Sequence, residues 1–176
     1  KIIEIAMRER INDCLIVIPA IKKNVAFTND LVKKIANVSL IQRAISKANK
    51  IVASEFILVI TDSEEIGLIC RRNNVNFFQN HELGTTEDGV INVLKSNIVE
   101  KSDCLNLLIL SPYSPLLPIG EVYEAYQKFV LKKTSLLVPI MKESHSPWGN
   151  SNKSIQSILE TLEVSLPGLN LCHFDL

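Results

Sequence analysis

Glycine is scarce and comes late: the chain has six, and the first is Gly67. No glycine-rich loop able to bring a phosphate against bare backbone can therefore follow an early strand. The four cysteines, Cys14, Cys70, Cys104 and Cys172, make no C-x-x-C pair, and the three histidines are scattered, which leaves no metal-ligand pattern. Cys14, Cys70 and Cys104 sit among apolar residues and read as small buried hydrophobes, which suits a reducing compartment. Charge of either sign is not in excess: Lys+Arg and Asp+Glu are both 19. A basic patch for nucleic acid or for an anionic membrane is thereby unexpected, and zero net charge favours self-association. No apolar run approaches the roughly 20 residues of a membrane span. The stretch Leu15–Ile18 is too short for a signal peptide and follows a charged segment, so the expected location is cytoplasmic.

At 176 residues, 47% apolar and 22% charged, the chain suits one ordinary domain. Residues 1–12 have helical spacing, with Ile2, Ile5 and Ala6 on one side, and the first residue is Lys. They read as a helical segment or linker, which leaves open a larger parent polypeptide; residues 13–176 read as the single domain.

Largely apolar runs, Cys14–Ile18 continuously so, mark strands covered by helices. Cys14–Ile18 stops at Pro19; Phe56–Ile60 precedes Thr61-Asp62; Leu105–Leu110 closes on Ser111-Pro112; Leu136–Ile140 and the short Val75–Phe78 complete the set. Between them lie helical stripes: Leu40, Ile41, Ala44, Ile45 and Ala48; Ile66, Ile69 and Cys70; Val90, Ile91, Leu94 and Ile98; Val122, Tyr126 and Phe129; Ile155, Ile158, Leu159 and Leu162. Asp62 with Glu65 reads as a capping box opening the second helix. Pro19 to about Ser39 reads as loop. The alternation predicts an α/β fold with a mostly parallel sheet and helices on both faces. Ligands of such sheets lie at the carboxyl ends of the strands, where Pro19–Asp30, Thr61-Asp62 and Ser111–Leu117 converge.

Four segments in order are similar to signatures of the acylneuraminate cytidylyltransferases, the enzymes that make CMP-sialic acid and CMP-Kdo. Val17-Ile18-Pro19-Ala20, with Leu40-Ile41 after an ungapped spacer, resembles the opening I-P-A-R-G-G-S-K-G-I-P-x-K-N and its P-L-I. Val59-Ile60-Thr61-Asp62-Ser63-Glu64-Glu65-Ile66 resembles V-S-T-D-D-E-E-I. Gln79-Asn80-His81-Glu82-Leu83-Gly84-Thr85-Thr86 resembles R-P-x-E-L-A-x-D, and Leu110-Ser111-Pro112-Tyr113-Ser114-Pro115-Leu116-Leu117 resembles L-Q-P-T-S-P-L-R. Glu143 to Trp148 is similar to a later E-x-H-x-P-x-W run. The resemblance spans about residues 14–148 and implies a Rossmann-like nucleotide-diphospho-sugar transferase fold. It also implies a homodimer, CTP and an acidic sugar as partners, and Mg²⁺ if the chain is active. The nucleotide would meet Ala20, Ile21, Lys22, Lys23, Asn24 and Ser111, and the sugar Glu82, Thr85 and His145.

In that family a sugar hydroxyl attacks the α-phosphate of CTP and pyrophosphate leaves. The protein offsets negative charge with preorganised donors and cations. Here the family's loop Arg falls on Ile21, its two Lys on Val25 and Asp30, its Gln on Ser111, and its later Arg residues on Gln79 and Leu117. The segments that persist are largely turn and capping chemistry. The preferred reading is a catalytically degenerate domain, a pseudoenzyme that binds nucleotide weakly or acts as scaffold or regulator. The alternative is an active nucleotidyltransferase with a rewired loop in which Lys22 or Lys23 replaces the missing cations. The bland readings stand beside these: Lys22 and Lys23 as a solvated loop, Ser111 as a turn residue before proline, and His145 with Trp148 as surface packing. Tyr113, larger than its family counterpart, is a candidate to fill part of the crevice. No catalytic residue and no metal ligand is assigned.

Overall fold

A computed structural model describes residues 10–23, 29–81, 83, 93, 106–133, 136–137 and 170–174. Its framework is a six-stranded sheet. The strands are β1 (Cys14–Ala20), β4 (Ile57–Thr61), β5 (Asn76–Gln79), β6 (Asn106–Leu110), β7 (Leu136–Leu137) and β8 (Asn170–Phe174), in spatial order β5-β4-β1-β6-β8-β7. Every pairing in it is parallel. The three runs that look like doubly covered strands in the sequence, β4, β1 and β6, are adjacent in the middle. Their side chains are buried almost throughout, because both faces are covered.

Register explains the layers. Ile16 lies beside Ile57 and Leu108, and Ile18 beside Val59, so these residues share one face. On it pack helices α1 (Leu40–Ile51), α2 (Glu64–Arg72) and α3 (Ile119–Lys132), through Ile41, Ile45 and Ala48, Ile66 and Cys70, and Val122, Tyr126 and Phe129. Val17, Ile60 and Leu107 of the opposite face are also buried, and Val93, helical, is buried as well. Burial of each large aliphatic side chain stabilises the fold by about 1.5–3 kcal/mol relative to exposure.

Local chemistry sets the helix starts. Ser39 Oγ accepts the backbone N–H of Gln42 at 3.3 Å while Gln42 Oε1 accepts that of Ser39 at 3.1 Å, a reciprocal cap for α1. Helix α2 places Glu64 and Glu65 in its first turn and Arg71 and Arg72 in its last, opposing the macrodipole. The segment read as loop before Ser39 contains a short 3₁₀ turn at Asp30–Val32 and a minimal antiparallel hairpin, β2 (Lys34–Ile35) with β3 (Val38–Ser39). Ala36 and Asn37, between them, both have positive φ, as a two-residue hairpin turn demands.

Several boundaries differ from the sequence expectation. β1 continues through Pro19 to Ala20, β4 begins at Ile57 and ends at Thr61, and β5 is Asn76–Gln79. β8 was not expected at all. Of the helix expected at residues 1–12, Arg10, Ile11 and Asn12 are described and are not helical, the Ile11 N–H donating instead to the Ile51 carbonyl at 2.9 Å; its remainder, the helix expected at 155–162 and most of the one around 90–98 lie outside the described residues. Among the described residues, no helix is long and apolar enough to cross a membrane.

Candidate functional site

The chain builds the sheet outward from β1 to β4 and β5, then crosses back to lay β6 on the other side of β1. The reversal leaves a crevice beyond the carboxyl ends of β1 and β6, the usual ligand position in open parallel sheets. The residues there are those leaving β1 (Ala20, Ile21, Lys22, Lys23), the turn after β4 (Thr61, Asp62, Ser63) and the turn after β6 (Ser111 to Ser114).

Asp62 is the anchor of this end. It is 4% exposed, and its two carboxylate oxygens accept the consecutive backbone N–H groups of Lys22 and Lys23, at 2.6 and 3.1 Å. This corrects the capping expectation: the N-cap of α2 is Ser63, which makes no side-chain cap bond, and Asp62 serves a loop 40 residues away in sequence. Glu65 has the other half of the expected box, yet it pairs with the Lys22 ammonium at 2.8 Å. The pair's side chains are 27% and 56% exposed, so solvent screens it to little net stability. The Lys23 ammonium donates to the backbone carbonyl of His81.

His81 closes the network. Its Nδ1 lies 3.1 Å from the Asp62 carbonyl oxygen, an acceptor only, so Nδ1 carries the proton. Nε2 is then left to accept from the Gln79 amide at 3.2 Å. Thr61 Oγ1 accepts the N–H of Ser63 at 3.1 Å, and the N–H of Asn80 donates to the Thr61 carbonyl at 3.0 Å. The ends of β1, β4 and β5 are thus joined by the side chains around Asp62.

On the β6 side, Ser111 Oγ accepts the backbone N–H of Tyr113 at 3.3 Å, which supports the turn reading of Ser111. The Tyr113 hydroxyl reaches within 3.5 Å of Asp30 Oδ1 across the crevice. Lys47 of α1 donates to the Ser114 carbonyl at 2.9 Å, and burial pushes its amine below the usual lysine range. Leu117, where the resembled family has an arginine, is 5% exposed and belongs to the hydrophobic core.

Of the sequence candidates, Ala20, Ile21, Lys22 and Lys23 gather at one mouth, with Ser111 on the other wall. Asn24, Glu82, Thr85 and His145 lie outside the described residues, as does Trp148. Sequence reasoning missed Asp62 as the loop anchor, and with it His81 and Lys47. The available signal for the first was a carboxylate one residue past a buried strand, facing a Lys-Lys pair at the end of the next.

The resemblance implies Mg²⁺. Among the described residues no three His, Cys, Asp or Glu gather into a ligand set, and Asp62, the carboxylate at the strand ends, accepts one N–H on each oxygen.

A six-stranded parallel sheet whose strand order reverses beside β1 makes this chain an α/β protein, and its likeness to solved structures is that of the Rossmann-like, nucleotide-diphospho-sugar transferase fold. Among solved structures it is similar to that of CMP:2-keto-3-deoxy-manno-octonic acid synthetase complexed with CTP. The likeness has a TM-score of 0.59 and 13% identity, over 94% of this chain and 90% of that one. It is also similar to a cytidylyltransferase from Leptospira borgpetersenii serovar Hardjo-bovis (strain JB197), with a TM-score of 0.57 and 10% identity over 93% of this chain and 76% of that one. At such identities the likeness is one of fold. No family model matches the sequence, and no curated protein matches it.

Proposed function

We propose that this chain is a cytidylyltransferase-like domain of sugar-acid metabolism, of the sialic acid or Kdo type, in which the fold persists and catalysis is weak or lost. Its role is then that of a weak nucleotide binder, a scaffold or a regulatory partner. The fold likeness to two cytidylyltransferases, one of them complexed with CTP, supports the nucleotide side of this reading.

The observation that carries the degenerate half is the loss of the loop's cations: the resembled family's Arg and two Lys fall on Ile21, Val25 and Asp30, and the two lysines present, Lys22 and Lys23, rest on exposed acceptors of the chain's own, Glu65 and the His81 carbonyl. A triphosphate needs such charges free and preorganised, and each missing charge-stabilising group commonly lowers the rate by about 10²–10³. Leu117 supports the same reading, because an apolar side chain in the core offers an oxyanion nothing.

A second reading, a working nucleotidyltransferase, is favoured by the placement of both lysines at the crevice mouth. Pyrophosphate release from CTP and Mg²⁺, with N-acetylneuraminate or Kdo as acceptor, separates the two. The degenerate reading expects no release above the uncatalysed background. Release that Lys22→Ala or Lys23→Ala abolishes overturns it.

A further inference from the structure

We propose that Tyr113 and Asp30 form a strap across the mouth of the crevice, an autoinhibitory contact that a nucleoside has to open before it can enter. This rests on the reading above that the crevice is the nucleotide site of the fold.

The two residues belong to opposite walls. Asp30 opens the short 3₁₀ turn Asp30–Val32, downstream of β1, and Tyr113 sits in the turn after β6. The Tyr113 hydroxyl donates to Asp30 Oδ1 at 3.5 Å, joining positions 83 residues apart. Both are departures from the resembled family: its second loop lysine falls on Asp30, and the threonine of its L-Q-P-T-S-P-L-R run falls on Tyr113. The strap is therefore built from what this chain does not share with that family, on both walls at once. A lysine offers a hydroxyl no acceptor, and a threonine hydroxyl lacks the reach of a phenol.

One end of the strap is a fixed post. Asp30 Oδ1 also accepts the backbone N–H of Leu31 at 2.7 Å, and Leu31 is fully buried in the core. The other end is an arm on a stiff base. The Ser114 N–H donates to the Ser111 carbonyl at 3.4 Å, and the Tyr113 N–H to Ser111 Oγ at 3.3 Å. Lys47 holds the Ser114 carbonyl from α1 at 2.9 Å, and Pro112 and Pro115 fix φ on either side. Tyr113 itself is 40% exposed, and a bond of 3.5 Å open to water is weak. Opening thus takes a rotamer change of one side chain while the turn stays in place. A contact this weak favours the closed form only a few-fold, and the apparent affinity of a nucleoside falls by the fraction of chains that are open.

The test titrates cytidine into the isotopically labelled full chain and follows the amide resonances of Ser111 and Tyr113. Cytidine carries no phosphate, so the missing loop cations do not enter. Tyr113→Phe keeps the ring and removes the hydroxyl, and its affinity for cytidine should rise at least about threefold over the parent. Asp30→Ala, which removes the post, should do the same. The double variant should gain no more than the larger single gain, since one contact is broken either way. A smaller gain in Tyr113→Phe, or none, overturns the proposal. So do additive gains in the double variant, and so does the absence of saturable shifts in every chain. Should Asp30→Ala not fold, Tyr113→Phe against the parent decides alone. Pyrophosphate release from CTP by the parent, together with tighter cytidine binding by Tyr113→Phe, counts against the proposed function and leaves the strap standing. No release, with cytidine affinity unchanged in Tyr113→Phe, does the reverse.

Discussion

The hydroxyl of Tyr126 donates to Asp13 Oδ1 at 2.7 Å, tying α3 to the residue just before β1 across 113 positions of sequence. Asn106 completes the knot by donating to the same hydroxyl at 3.0 Å and to Asp13 Oδ2 at 3.2 Å. The knot lies at the amino ends of β1 and β6, opposite the crevice, so it bears on stability alone. Tyr126→Phe is expected to cost about 1–2 kcal/mol, because it removes one charge-assisted bond and an acceptor for the buried Asn106 amide. Urea unfolding checks this; an unchanged midpoint contradicts it.

Alkaline pH should weaken the fold through two buried acids. Burial pushes the Cys70 thiol up to about 12 from 9.0, outweighing a backbone hydrogen bond that acts the other way. Burial first, and then the bond to Asp13, pushes the Tyr126 phenol upward as well. Both groups have folded pKa values above their unfolded ones. Below the unfolded value both states hold the proton, and no stability is lost. As pH rises past it, the unfolded chain releases protons that the native chain keeps, so stability falls. For Cys70 the window is pH 9 to about 12, with a limiting slope of about 1.4 kcal/mol per pH unit. Denaturant midpoints at successive pH values read the slope, and Cys70→Ala should flatten it. An equal slope in that variant contradicts the assignment.

Gly67 marks the tight contact of α2 with β5. A Cβ there would lie 2.8 Å from Gln79 Oε1 and 3.0 Å from a ring carbon of Phe77. The Gln79 amide can move aside. The Phe77 ring, which carries the Arg71 guanidinium 5.3 Å from its centroid, yields less readily. Gly→Ala inside a helix ordinarily gains about 1 kcal/mol. Here overpacking should reverse the sign, with a net loss of about 1–2 kcal/mol. Thermal unfolding of Gly67→Ala gives the sign directly, and a gain contradicts the contact.

Restoring the resembled family's cation at Leu117 should not restore a site. The position is 5% exposed within the core, so Leu117→Arg introduces a buried charge without a partner, at about 3 kcal/mol or more. The expected outcome is lost stability with no gain in CTP binding. A stable variant that binds CTP more tightly contradicts this placement.

Much of the framework was legible in the sequence, because Cys14–Ile18, Ile57–Ile60 and Leu107–Leu110 are apolar runs within β1, β4 and β6 and α1 carries a clean stripe at Ile41, Ala44, Ile45 and Ala48. Pro19 misled about where β1 ends: the strand carries it, paired beside Ile60, and continues to Ala20. The two-residue strands of the hairpin are too short to show any period. Asn170–Phe174 mixes polar with apolar residues and has no strand signature. At the site, the convergence of the β1, β4 and β6 turns follows from parallel topology. The partner of Asp62 does not, since a carboxylate before Glu64-Glu65 looks locally like a cap and its true donors lie 39 and 40 residues upstream.

The central claim is that the loop after β1 no longer receives a nucleoside triphosphate. Isothermal calorimetry of the full chain with CTP and Mg²⁺ tests it most directly. The account predicts no saturable heat below roughly millimolar CTP; a dissociation constant of about 1 μM, corresponding to some −8 kcal/mol, would contradict it.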